Sequence, residues 1–284
     1  GRPSRQGWRR FGEALAALAA LPPHEPVIVD GLVFGSIDPV GLAPVPAPLI
    51  AMLHHPLALE SGLPPDRARA LYRSELQNLQ RAAHVLVPSP HTRDLLIRDY
   101  RVAPADITIV PPGVERPQLP PAPITPPLIL SVGILHPRKG HDILIRALGQ
   151  LGDLPWQAVI AGNPWDAAHA AALAAQVARS PEAGRIRLAG RVSEAELQRL
   201  YAEASLFALA TRFEGYGIVF DEALVRGLPI VTTRTGAVPD TVPPQAGLLV
   251  PHEDPAALAE ALRALLTDPA RRAAMSEAAR RAGA

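Results

Sequence analysis

LILSVGILHPRKGHDILIRAL, residues 128–148, decides how the rest of the chain is read. A continuous apolar run, 128–133, ends on Gly133; a polar turn follows; a segment of helical period then starts near Gly140. A short run with no polar alternation buries both of its faces, as strands of a parallel sheet do when helices cover them on either side.

The same alternation recurs along the chain. Ahead of this stretch the expected strands are 26–31, 48–55, 84–89 and 107–113, with helices over Asp66–Ala82 and Pro90–Tyr100. Beyond it they are 156–162, 185–190, 206–210, 229–233 and 247–250. Helices are expected at 140–150, 166–179, 193–204 and 218–227, with Ala/Leu-rich helices after 254. Ser193 followed by Glu196 is a capping-box pattern at the head of one of them. Between the two sets lies PQLPPAPITPP, whose prolines exclude helix and central strand and give a stiff extended segment. The expectation is an α/β protein of two Rossmann-like parallel-sheet domains facing across a cleft. The first spans 1–118, the linker 119–127 and the second 128–284.

Composition excludes several classes of function. A net charge of +1, with both signs interspersed, lacks the basic face of a nucleic-acid binder. No cysteine means no disulfide and no thiolate metal site, which suits a reducing cytoplasm. No apolar run approaches the ~20 residues that cross a bilayer, and peripheral contact at the inner membrane face is the one membrane role left open. The opening stretch, GRPSRQGWRRFGEALAALAALPP, has a basic start and an Ala/Leu run, but Glu13 interrupts it and an amphipathic helix is expected.

Lys139 is the only lysine in a chain with 27 arginines. It and Arg138 precede the helix that starts near Gly140, where the helix dipole disfavours cations. Either both side chains point into water, or an anion at the same spot reverses the argument. Glu214, Gly215, Tyr216 and Gly217 likewise follow a strand and precede a helix that carries Glu222. The glycines let a ligand approach the backbone amides at 215–217. Carboxylates repel phosphate but accept paired hydrogen bonds from vicinal hydroxyls. Cations at 138 and 139, amides at 215–217 and carboxylates at 214 and 222 together describe a diphosphate flanked by two polyols, which is a nucleotide-sugar.

VG…RKGHD at 132–142, AGRVSEAEL at 189–197 and EGYGIVFDEALVRGLPIVTTRTGAVPD at 214–240 resemble the carboxy-terminal domain of the retaining glycosyltransferases of family 4, which have the GT-B fold. The last stretch contains that family's E-x7-E pattern. The resemblance implies that Lys139 contacts the donor diphosphate, Glu214 lies by the transferred sugar and Glu222 takes the ribose hydroxyls. It also implies that Gly190–Val192 lies near the nucleobase and that His54, at the end of an apolar strand, approaches the donor sugar. Where members commonly carry arginine after the glycine of VG, this chain has Ile134, and Arg138 is the candidate for that second cation. In this fold an opening strand and a glycine-rich loop precede the region that residue 1 begins in, so 1–118 is expected to be an incomplete domain.

His54 and His55 are adjacent on an extended segment and point opposite ways, one packed and one solvated, so they do not chelate one metal. No Asp-x-Asp and no H-E-x-x-H occurs, and no metal or other cofactor is expected. The leading reading is transfer of a sugar from a UDP- or GDP-sugar to the hydroxyl of a glycan, lipid or small molecule, with retention of configuration. If Glu214 faces the transferred sugar, Glu214→Gln leaves binding of the bare nucleotide nearly untouched and lowers turnover instead. The competing readings are another GT-B enzyme, such as a sugar-nucleotide epimerase or a phosphorylase, and a catalytically silent nucleotide-binding fragment.

Overall fold

The computed structural model describes residues 13, 14, 16–60 and 62–283, and the helix expected at the head of the chain falls largely outside them. The chain divides into two units after Pro111. In the first, strands β1 (Val27–Asp30), β2 (Leu49–Met52), β3 (His84–Val87) and β4 (Ile107–Ile109) form a parallel sheet in chain order. All four were legible as apolar runs. Val29, Ala51, Val85 and Val87 pack there with Phe34, Leu42, Leu79, Leu96 and Tyr100.

Two short helices in this unit were not expected, α1 (Gly31–Ser36) and α2 (Pro39–Leu42). Both are glycine-containing and too short for a periodic signal, and long-range contacts hold them. Asp30 and Asp38 cap their amino ends through the amides of Leu32 and Val40. The fully buried Asn78, on α3 (Pro65–Leu79), donates to the carbonyls of Phe34 and Ile37. Helix α4 (Pro90–Tyr100) starts on a Ser89 cap.

The second unit contains β5 (Leu128–Val132), β6 (Gln157–Ala161), β7 (Ile186–Gly190), β8 (Ala204–Leu209), β9 (Ile230–Thr233) and β10 (Gly247–Val250). Its helices are α5 (His141–Leu148), α6 (Ala167–Arg179), α7 (Glu194–Glu203), α8 (Ile218–Leu224), α9 (Val238–Thr241), α10 (Pro255–Thr267) and α11 (Pro269–Gly283). The parallel sheet runs β10-β9-β8-β5-β6-β7, the doubly wound order of a Rossmann fold read from its far edge. Chain connections reverse direction between β5 and β8, so the loops that follow these two strands diverge there. Ligands of open α/β sheets bind at such a point. Ile129 of β5 joins a core with α5, α6 and α10, whereas its neighbours Leu128 and Leu130 join the opposite core with α7, α8 and α11.

Three details depart from the sequence reading. Strand β8 begins at Ala204, directly off α7, because Ala204 already pairs with Leu128 of β5. The Ser193 hydroxyl accepts from the Glu196 amide, but the Glu196 side chain turns to Arg199, so half of the capping box forms. The Pro-rich segment belongs to the second unit rather than standing between two domains. The amides of Ala122 and Ile124 donate to the carbonyls of Ala202 and Glu203. Among the described residues no helix is long and apolar enough to cross a membrane.

Candidate functional site

The turn after β5 carries Arg138 and Lys139, and the loop after β8 carries Thr211 to Gly217. Both leave the sheet at the point where its connections reverse. They approach closely because Gly140 sits in a left-handed conformation (φ 64) with no side chain: a Cβ there would lie 1.9 Å from the Ala210 carbonyl oxygen. Arg212 then straps the two loops together. Its amide donates to the Arg138 carbonyl at 2.7 Å and its guanidinium to the Pro137 carbonyl. The same guanidinium pairs twice with Asp142, at 2.9 Å each, and with Glu253. Burial raises the Asp142 pKa, but the Arg212 fork overcomes that and holds it below its ordinary value.

Inside this strap lies a buried charge cluster. Lys139 Nζ donates to Glu214 Oε1 at 2.6 Å, and Arg138 donates to Glu214 Oε2 at 3.3 Å and to the Phe213 carbonyl at 3.0 Å. Thr211 Oγ1 lies 3.0 Å from the same Oε1. Lys139 is only 9% exposed and Glu214 only 4%. Of the two alternatives at the start of α5, solvated side chains or an anion, the structure shows an anion for these cations, and it is the chain's own carboxylate. Glu214 holds both cations, a contact that the sequence reading did not anticipate.

Glu222 sits apart from that cluster, beside a cavity of about 250 Å³ that neither Glu214 nor Lys139 lines. The Tyr201 hydroxyl donates to Glu222 Oε2 at 2.7 Å, and the Arg226 guanidinium stacks 4.4 Å over the Tyr201 ring. Arg226 donates to Gln198 Oε1 at 2.9 Å, and Gln198 donates to Glu194 at 2.7 Å. Burial and the adjacent Glu222 carboxylate raise the Tyr201 pKa well above its ordinary value, so the phenol stays a donor. Val192 packs against the hydrophobic core on this face of the sheet.

Between Glu214 and Glu222, Gly217 precedes α8 in a left-handed conformation (φ 89), and a Cβ there would also meet the Phe220 ring at 2.6 Å. The Tyr216 hydroxyl turns away to Asp221, and its carbonyl accepts from Thr241. Gly215 lies on the same loop.

In the first unit, His54 follows β2 and its Nε2 lies 3.0 Å from Asp30 Oδ2, at the end of β1. Burial raises the Asp30 pKa, but the hydrogen bonds from His54 and the Leu32 amide keep it below its ordinary value. The side chain of His54 is 56% exposed and that of His55 17%, with His55 turned to Glu60, so one imidazole is solvated and the other packed as expected. Sequence reasoning missed Asp30, Thr211, Tyr201 and Arg212. Only Asp30 carried a signal, an acid closing an apolar strand.

The family described as Glycosyl transferases group 1 matches residues 116–282, and that described as Glycosyltransferase Family 4 matches residues 2–116. The D-inositol 3-phosphate glycosyltransferase of Kineococcus radiotolerans is 33% identical over 255 residues, which is 79% of this chain and 58% of that protein. A GDP-mannose-dependent monoacylated alpha-(1-6)-phosphatidylinositol monomannoside mannosyltransferase of Corynebacterium glutamicum is 35% identical over 165 residues, 55% of this chain and 42% of that one. The chain thus spans about half the length of these curated relatives. Among solved structures, sucrose-phosphate synthase from Thermosynechococcus elongatus superposes with a TM-score of 0.81 at 22% identity, covering 98% of this chain and 73% of that one. Anabaena Alr3699/HepE in complex with UDP and glucose gives 0.81 at 18% identity, covering 99% and 79%. These two are likenesses of fold. The match over more than half of its length carries the assignment: the chain belongs to the group 1 glycosyl transferases.

Proposed function

We propose that this chain transfers a sugar from a nucleotide-diphospho-sugar, a UDP- or GDP-sugar, to an acceptor hydroxyl with retention of configuration. The observation that carries the reading is the buried Arg138–Glu214–Lys139 cluster at the reversal point of a Rossmann-type sheet. Two cations held there suit a diphosphate, and the carboxylate between them suits the hydroxyls of a sugar attached to it. Family membership and the printed names of the relatives support the same class of chemistry.

In the reaction, the bond from the anomeric carbon to the β-phosphate oxygen breaks. The acceptor oxygen bonds to that carbon on the same face, and its proton passes to the departing phosphate oxygen. The leaving nucleoside diphosphate gains negative charge as the bond lengthens, and Lys139 and Arg138 stabilise that charge, helped by the amides of Gly215, Tyr216 and Gly217. Glu222 accepts the ribose hydroxyls and Val192 borders the nucleobase; in the first unit His54, hydrogen-bonded to Asp30, is the candidate catalytic side chain. Two side-chain cations at the diphosphate do the work of a divalent metal. Among the described residues no group of three His, Asp or Glu is placed to hold one.

The test is incubation with radiolabelled UDP- and GDP-sugars and polyol acceptors, inositol phosphate first, with the product anomer assigned by NMR. A glycoside with the donor's configuration, formed equally in EDTA, is the expected result. Epimerised sugar nucleotide, an inverted glycoside or a requirement for manganese overturns the corresponding part of the reading.

A further inference from the structure

Resting on that reading, we infer that Glu214 makes the site discriminate against the bare nucleoside diphosphate in favour of the sugar nucleotide. Lys139 Nζ and one nitrogen of Arg138 are both engaged by this one carboxylate, at 2.6 and 3.3 Å, in a position that is nearly closed to water. Any phosphate that takes Lys139 must share it with the Glu214 carboxylate or displace that carboxylate. Screening by solvent is weak there, so the two anions repel at close range.

The two ligands differ in what they bring. In the sugar nucleotide the β-phosphate is esterified: it carries one negative charge, and the attached sugar presents hydroxyls that donate to a carboxylate. In the spent diphosphate the β-phosphate is terminal: it carries up to one further charge near neutral pH and offers no hydroxyl. Glu214 is therefore attractive toward the substrate's sugar and repulsive toward the product's free phosphate. Cleavage converts the first situation into the second, which favours release of the product from the cations that stabilised its departure.

Glu214→Gln tests this, because the amide keeps the shape and a carbonyl acceptor for Lys139 while removing the charge. By calorimetry the bare nucleoside diphosphate should bind the variant about tenfold more tightly than it binds the parent, about 1.4 kcal/mol. A non-hydrolysable sugar nucleotide should gain less or lose affinity, so the preference between the two ligands reverses or narrows. Glu214→Ala, which deletes the charge with the side chain, should move the diphosphate in the same direction and serves if the glutamine variant folds poorly. Weaker diphosphate binding in both variants would mean that Glu214 serves to order Lys139, and equal tightening of both ligands would remove the discrimination. Either result overturns the inference while leaving the proposed function standing. Failure of the parent protein to bind any sugar nucleotide would instead overturn the proposed function.

Discussion

Tyr201 donates its hydroxyl to Glu222 Oε2 across 2.7 Å, joining α7 to α8 at the wall of the cavity. A carboxylate accepting two ribose hydroxyls is stronger than an amide, so Glu222→Gln should weaken the bare nucleotide and the sugar nucleotide alike, by about 1–2 kcal/mol. Tyr201→Phe removes one buried hydrogen bond without touching the charge and should cost both ligands less than about 1 kcal/mol. Calorimetry on both variants decides. A loss confined to the sugar nucleotide would move Glu222 from the ribose to the sugar.

Lys139 is fitted to its place by more than charge. Its stem runs over Gly133, where a Cβ would already lie 3.4 Å from Lys139 Cγ and Cδ. Arginine brings a wider planar fork that needs a different approach to the same carboxylate or phosphate. Lys139→Ala should weaken nucleoside diphosphate binding by about 1–3 kcal/mol, and Lys139→Arg should weaken it as well. Unchanged affinity in both removes the residue from the site.

The central strands of the second sheet were legible because they are buried on both faces and so read as continuous apolar runs, whereas β1 is an apolar run that buries only one face and leaves Ile28 exposed. The charge cluster was half legible. Residues 138, 139 and 214 stand out by their position at strand ends, but which of them touch depends on β5 and β8 being neighbours, a pairing between segments far apart in the chain. Asp30 against His54 is invisible for the same reason, since it requires β1 beside β2. Helix α1 was illegible because a buried side chain on α3, Asn78, holds the carbonyls at its end, not its own propensity.

Gly140 should tolerate no side chain. It combines a left-handed φ of 64° with a backbone carbonyl 1.9 Å from any added Cβ, and neither β8 nor the start of α5 has room to retreat. Left-handed strain alone costs an alanine about 1–2 kcal/mol, and forcing the loops apart adds a comparable amount. Gly140→Ala should therefore lose about 3 kcal/mol or more of unfolding free energy in urea titration, and nucleotide binding should fall with it as Lys139 moves. A loss below about 1 kcal/mol would show that the two loops are not locked together here.

His141 should make the protein acid-sensitive well above the carboxylate range. It is fully buried at the first position of α5, its Nε2 3.2 Å from the Gly133 carbonyl, while Nδ1 has no partner. Burial above all pushes its pKa from 6.5 down to about 4, and the nearby Lys139 charge adds to this against the pull of the Gly133 and Ile134 carbonyls. The folded protein thus keeps the imidazole neutral at pH values where the unfolded chain has already taken up a proton. Because the unfolded state binds more protons, stability falls as pH drops from about 6.5 to about 4 and levels off below that for this group. The span corresponds to roughly 3 kcal/mol as an upper bound. Asp30 and Asp142, whose pKa values are lowered, contribute their own loss only toward the acid end, and they do so equally in a His141→Leu variant. Unfolding free energies of parent and variant, measured from pH 7 to pH 4.5, should therefore fall more steeply in the parent as the pH drops. Parallel slopes would mean that His141 is protonated in the fold and that Nδ1 has found an acceptor.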